Sequence, residues 1–208
     1  MTSSGRDASL RPYRAGDLAD LYDVCTRTGD SGDDATGKLA QPELLGDIFV
    51  GPYVEREPGL AFVIEGGGRA VGYVLGTADT QAFVGWYSSV WAPRFGAVYA
   101  PPKGPPRSTE EQLLVRFYHP EQMLRPELAG YPAHLHIDIL PPYQGVGWGR
   151  RLMEVFLDAA AAAGAPAVHL GVAALNESAQ GFYKRLGFHP IDVPGAEGAL
   201  FFGRSTSR

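Results

Sequence analysis

Gln144-Gly145-Val146-Gly147-Trp148-Gly149-Arg150 is the stretch whose reading decides the fold. Before it, His134-Leu135-His136-Ile137-Asp138-Ile139-Leu140 alternates at the period of two expected of a strand. After it, from Gly147 to Ala163, the residues Gly149, Leu152, Met153, Phe156, Leu157 and Ala160 recur at helical spacing. Glycines at such a junction let the backbone approach a ligand and turn successive N–H groups toward it. The helix that begins there adds roughly half a positive charge. Together they make a site for a phosphate or pyrophosphate, or else a tight turn that holds no ligand. The spacing Gly-x-Gly-x-Gly differs from the dinucleotide fingerprint and lacks the Gly-Lys-Ser/Thr of a P-loop.

Working outward, Ser9 to Arg14 reads as a first strand, preceded by a loose tail over residues 1–8. Asp17 is placed to cap a helix carrying Leu18, Leu21, Tyr22 and Cys25 on one face. A second helical segment, Pro42 to Arg56, is interrupted at Gly51-Pro52. Leu60 to Glu65 and Arg69 to Thr77 form a hairpin across Gly66-Gly67-Gly68. Downstream, Ala167 to Ala173 is a buried strand, and Asn176 caps a last helix in which Ala179, Phe182, Tyr183 and Leu186 share a face. Two short strands, Phe188 to Ile191 and Ala199 to Gly203, follow. Residues 79–131 break this rhythm. They hold Phe83, Trp86, Tyr87, Trp91, Phe95 and Tyr99, a proline-rich run and a helix start at Ser108-Thr109-Glu110-Glu111. So long an irregular segment is unusual without a function. Its aromatics either anchor it on the core or wall a binding site.

The chain has 208 residues, 18 Lys+Arg against 23 Asp+Glu and a formal charge of -5, which suits one domain over residues 1–208 with an insertion at about 79–131. The acidic balance argues against nucleic-acid or anionic-membrane partners. One cysteine, Cys25, excludes an internal disulfide and a cysteine-rich zinc site. No apolar run reaches the roughly 18 residues that span a bilayer, and Met1 to Gly5 lacks the apolar core of a signal peptide. The expectation is a soluble, cytoplasmic protein, monomer or homodimer, without a metal.

Gln144-x-x-Gly147-x-Gly149 resembles the Arg/Gln-x-x-Gly-x-Gly/Ala signature of the GNAT superfamily of N-acetyltransferases. Asn176-x-x-Ala179-x-x-x-Tyr183-x-x-x-Gly187-Phe188 is similar to that family's last-helix pattern. The resemblance implies an α/β (α+β) fold with a central mixed, mostly antiparallel sheet flanked by helices. Gly72 to Asp79, followed by Phe83, Trp91, Pro93 and Tyr99, together with Ile137-Asp138-Ile139, resembles more closely the acetyltransferase-like C-terminal domain of O-GlcNAcases. That animal domain departs from the acetyl-CoA signature, which this chain keeps.

The resemblance implies acetyl-CoA as cofactor and an amine, small molecule or protein lysine, as acceptor. The pyrophosphate would lie on the backbone of Gly145, Val146, Gly147, Trp148, Gly149 and Arg150, with Gln144 at the entrance. Ile139 and Leu140 would pair with the pantetheine arm like an added strand. Asn176, Ala179 and Phe182 would line the cofactor, and Asn176 can also be only a cap. Arg150, Arg151, Lys184 and Arg185 reach outer phosphates or are a solvated face. Tyr183 is the candidate to protonate the departing thiolate. The base that deprotonates the amine is sought among Asp138, His136 and Asp79, with Asp138 preferred because it directly precedes Ile139. His136 and Asp138, two apart on one strand, point to the same face. The remaining histidines have no metal spacing. The competing reading is a non-catalytic module that binds acyl-CoA or a protein without turnover.

Overall fold

The computed structural model describes residues 7–196 and 198–207, so most of the expected N-terminal tail lies outside the described residues. Seven strands form one sheet: β1 Ala8–Pro12, β2 Phe62–Gly66, β3 Arg69–Thr77, β4 Ala133–Ile139, β5 Ala167–Ala173, β6 His189–Ile191 and β7 Ala199–Ser205. Their spatial order is β1-β2-β3-β4-β5-β7-β6. Every neighbouring pair is antiparallel except β4 and β5, which are parallel. The helices are α1 Leu18–Thr28, α2 Leu44–Phe49, α3 Gly51–Arg56, α4 Thr80–Trp86, α5 Thr109–Tyr118, α6 Trp148–Ala162 and α7 Glu177–Arg185. The β2–β3 hairpin turns on Gly67 and Gly68, whose φ angles of 62° and 80° are what a two-residue turn of this hand requires.

The sheet has two dissimilar faces. Leu152, Met153, Phe156, Leu157 and Ala160 of α6 are buried, and α6 packs on β2, β3 and β4. Each large side chain of that set contributes about 1.5–3 kcal/mol by leaving water. A Cβ on Gly76 would stand 2.7 Å from the Phe156 ring, so only glycine admits the helix at that point of β3. Residues paired across β3 and β4 share a face, and the pair Tyr73–Asp138 lies on the opposite side, toward α1.

Two local expectations are corrected. Asp17 precedes α1 but does not cap it. Its carboxylate accepts the Arg14 N–H at 2.8 Å and both terminal nitrogens of Arg11 at 2.7 Å, because a salt bridge within reach outcompetes a neutral N–H. The insertion is not irregular. It folds as α4, a wide turn over Tyr87–Trp91, a 3-10 turn over Ala92–Phe95 and α5, capped by the Ser108 hydroxyl on Glu111 N–H. Its aromatics anchor it. Phe83, Tyr87, Trp91, Tyr99 and Phe117 are buried in the common core, and the Trp91 Nε1–H donates to the Asp47 carbonyl at 2.9 Å. The Asp47 carboxylate, itself buried in α2, accepts the hydroxyls of Tyr22 at one oxygen and Tyr99 at the other.

A buried carboxylate that loses a donor keeps its desolvation cost. Tyr99→Phe is therefore expected to lower stability by about 1–3 kcal/mol, read as a lower urea midpoint at unchanged slope.

Candidate active site

The site begins where β4 and β5 part. The two strands pair only at Ala133–Val168 and His134–His169, then separate although β4 runs on to Ile139 and β5 to Ala173. In the β3–β4 ladder the Leu140 N–H donates to Val71 O at 3.0 Å, which turns Leu140, Asp138 and His136 toward β3. By the same alternation the backbone groups of Ile137 and Ile139 point the other way, into the gap that β5 has vacated. Gln144 reaches back and its Nε2 donates to the Ile139 carbonyl at 2.7 Å. What remains along the gap is an open strand edge of N–H and C=O groups.

The mouth of this gap is formed by the turns that follow the two strands. Gly145 and Gly147 take φ of 73° and 97°, the left-handed region that favours glycine, and Gly147 is the N-cap of α6. The first N–H groups of α6 have no partner within the helix. Gly149 has a different purpose. A Cβ there would stand 3.0 Å from the Phe182 ring of α7, so this glycine lets α6 and α7 meet. Trp148 is buried, and the Arg151 guanidinium lies 4.4 Å from its ring centroid. Arg150 is exposed and sits 4.0 Å from Glu154. Val146 is exposed at the tip of the turn.

On the α1 side of β4, Asp138 is half-buried and accepts the Tyr73 hydroxyl at 2.7 Å. Burial raises the Asp138 pKa above the usual carboxylate range, and hydrogen bonds from Tyr73 and Thr28 pull it the other way. Tyr183 is packed among Phe182, Phe188 and Phe202, with centroid distances of 5.3, 5.8 and 6.2 Å. Burial, and secondarily the charge of Asp138, push its phenol pKa up, so it holds its proton at neutral pH. No described side chain or backbone group bonds its hydroxyl. Cys25 is buried in α1 with its thiol pKa likewise pushed up by burial, which removes it as a nucleophile.

Other expected residues take different places. Asp79 is the N-cap of α4, accepting the Ala82 N–H at 3.0 Å. It lies beyond Thr77, which is already roughly 13 Å along β3 from the Tyr73–Asp138 pair. Asp79 and Asp138 therefore belong to opposite ends of the hairpin. Leu140 has its N–H bound to β3, so Ile137 rather than Leu140 shares the open edge with Ile139. Asn176 uses both ends of its amide. Its oxygen caps α7 by accepting the Ala179 N–H, and its Nδ2 donates to Ser31 O, each at 3.0 Å. Tyr73 and Ile137 were not singled out from the sequence, although a tyrosine inside the apolar run of β3 was a visible signal. Among the described residues no group of three His, Cys, Asp or Glu side chains could hold a metal, and no helix is long and apolar enough to cross a membrane.

Comparison with known proteins agrees with this geometry. The family model described as acetyltransferase (GNAT) family matches residues 114–188. Protein O-GlcNAcase of Rattus norvegicus is 28% identical over 193 residues, covering 92% of this chain and 21% of the relative, and that of Mus musculus matches equally. The chain thus spans about a fifth of the length of these curated relatives. The crystal structure of SsHAT superposes with a TM-score of 0.93 at 47% identity, covering 97% of this chain and 100% of that one. The structure of yncA from Salmonella typhimurium with its cofactor acetyl-CoA has a TM-score of 0.56 at 13% identity over 97% of this chain and 95% of its own, a likeness of fold alone.

The Tyr73 hydroxyl stabilises the ionised form of Asp138. Tyr73→Phe is expected to move the Asp138 pKa further upward, seen as a higher midpoint in a carboxyl carbon NMR titration. An unchanged or lower midpoint contradicts this assignment of the cause.

Proposed function

Since the chain belongs to the GNAT acetyltransferase family, we propose that it is an acetyl-CoA-dependent N-acetyltransferase that moves the acetyl group to an amine by direct attack. The observation that carries this reading is the open edge of β4 ending in a glycine turn at the N-terminus of α6. A strand edge can hold an amide-containing arm by ladder hydrogen bonds, and a helix N-terminus can hold a pyrophosphate. The residues present fit such a ligand in order along it. Ile137 and Ile139 take the amide arm, and Gly145 to Arg150 offer their N–H groups to the phosphates. Arg151, Lys184 and Arg185 stand near enough in sequence to these turns to serve the outer charge. Acetyl-CoA supplies, when bound, a thioester carbonyl and a sulfur leaving group.

The rest is done by the protein's own side chains. A protonated amine with a pKa near 10.4 costs roughly 4–5 kcal/mol to deprotonate at pH 7. Asp138 accepts that proton, directly or through one water, and its raised pKa brings it nearer the working pH. Tyr73 holds the carboxylate in place through its 2.7 Å hydrogen bond. Tyr183, whose hydroxyl is protonated and unbonded, donates to the departing sulfur. Asp79 has no part, because its carboxylate is occupied at the α4 N-cap.

The test is direct. Acetyl-CoA is expected to raise the melting temperature by mass action, and coenzyme A release is expected with some member of a library of amines and lysine peptides. Gly147→Glu places an anion in the phosphate nest at a left-handed position and is expected to abolish the thermal shift while the variant remains folded. A variant that still binds normally overturns the cofactor assignment. Binding without release from any amine favours a module that holds acyl-CoA without turnover.

Asp138→Asn separates chemistry from folding. A carboxyl whose folded pKa is raised favours the fold while protonated, and this contribution is lost as pH rises through the folded pKa. At neutral pH ionised Asp138 therefore weighs against the folded state, and asparagine does not. Turnover is expected to fall about 10²-fold or more, with acetyl-CoA affinity unchanged and the melting temperature at pH 7 equal or higher. A rate within a few-fold of the parent across pH 6–9 removes Asp138 as the base.

A further inference from the structure

Beside the cluster around Asp138, a continuous chain of hydrogen bonds runs through the same face of β4 and ends at His136. Thr80 Oγ1 lies 2.7 Å from the Pro132 carbonyl oxygen, which can only accept, so the single hydroxyl proton of Thr80 is committed there. Thr80 Oγ1 also lies 2.8 Å from His134 Nδ1, and with its own proton used it accepts the Nδ1–H. His134 is buried, and desolvation holds its imidazole neutral, so its other nitrogen, Nε2, is bare. That nitrogen accepts the Tyr53 hydroxyl at 2.8 Å. The Tyr53 oxygen, its proton given away, accepts from His136 Nε2–H at 3.1 Å. Each link is forced by the one before, and the last leaves a neutral His136 with a lone pair on Nδ1.

That nitrogen is open. No hydrogen bond to it is made among the described residues, and it is not one of the sealed polar atoms without a partner, which there are Arg56 Nε and the Tyr87 hydroxyl. His136 is half-buried, two positions before Asp138 on the same face of β4, with the edge of Phe49 at 5.3 Å. Burial first, then the charges of Arg116 and His169, bring its pKa down to about 4, so the ring is neutral at pH 7. The Tyr53 ring is itself clamped by stacking on Phe83 at 4.4 Å.

We propose that His136 accepts a hydrogen bond from the N–H of the acceptor amine through Nδ1, and that Tyr53, acting with His134 and Thr80, is the positioning residue that keeps this nitrogen unprotonated and aimed. This rests on the acetyl-transfer reading. It adds a second acceptor group beside Asp138, about 7 Å along the strand. Asp138 takes the proton, and His136 orients the amine so that its lone pair faces the thioester.

Long-range nitrogen–proton NMR correlation of the wild-type protein reads the tautomers without any substrate. The expected result between pH 6 and 9 is the Nε2–H form at His136 and the Nδ1–H form at His134. An Nδ1–H form at His136 overturns the proposal whatever the enzyme's activity. For turnover the probe is hydroxylamine, a small amine that is neutral at pH 7, with acetohydroxamate as product. Tyr53→Phe keeps the stacking on Phe83 and is expected to shift the His136 tautomer and lower kcat about tenfold, with KM for acetyl-CoA within about twofold. His136→Asn puts an amide oxygen near the place of Nδ1 and His136→Gln near that of Nε2, so the asparagine variant is expected to retain several-fold more activity. Equal rates for the two variants and the parent overturn the proposal. Hydroxamate no faster than the uncatalysed background, with both tautomers as expected, overturns the acetyl-transfer reading and takes the amine contact with it.

Discussion

Two ladder positions hold β4 to β5, and then the strands part. This divergence is the constraint on which the site depends. A fully paired parallel sheet would satisfy the groups of Ile137 and Ile139 internally and leave no edge for a ligand. The divergence needs support, because unpaired backbone groups in an interior cost free energy. Part of it is local. Gln144 answers the Ile139 carbonyl, and Val71 takes the Leu140 N–H. The rest comes from the neighbouring helices. The ring of Phe182 packs against Gly149, and Asn176 ties the start of α7 to the loop after α1. The gap is thus held open by contacts at its rim.

Much of this was legible because it follows from period and punctuation. The β4 alternation, the α6 stripe and the caps at Ser108 and Asn176 are short-range signals, and the structure bears them out. The failures were long-range. Asp17 is drawn from its helix by Arg11, which nothing in the local pattern announces. Asp79 and Asp138 seemed close because their strands are neighbours, but the register of an antiparallel pair puts the end of one strand beside the start of the next. Leu140 was assigned to the open edge by its distance from the glycine turn. Which of two successive residues faces the gap depends on ladder parity, and parity is set by the β3 register. The insertion read as irregular because its helices are short and its aromatics have no clean period. Their order comes from burial against α2 and α3 and from the hydrogen bonds of Trp91 and Tyr99 to Asp47.

The glycines of the central turn illustrate how one pattern carries several physical requirements. Gly145 and Gly147 meet no neighbour but adopt positive φ, so their need is conformational. Gly149 has an ordinary backbone but no room, so its need is steric. A sequence shows three equivalent glycines, and the family signature treats two of them alike. Only the packing of α7 against α6 separates the roles.

β4 also divides the chemistry between its faces. Toward α6 its residues are Leu135, Ile137 and Ile139, and toward α1 and α3 they are His134, His136 and Asp138. Three ionisable groups on one side of a central strand would destabilise the sheet if they were left to charge in isolation. Here each is contained by a hydroxyl: Thr80 and Tyr53 for His134, Tyr53 for His136, Tyr73 for Asp138. Hydroxyls suit this purpose because each both donates and accepts, so a row of them fixes the direction in which protons lie without adding charge. The apolar face keeps the strand in the core, and the polar face keeps proton acceptors dry and oriented. The alternation that identified β4 as a strand is therefore the same feature that lets one strand serve the core on one side and proton transfer on the other.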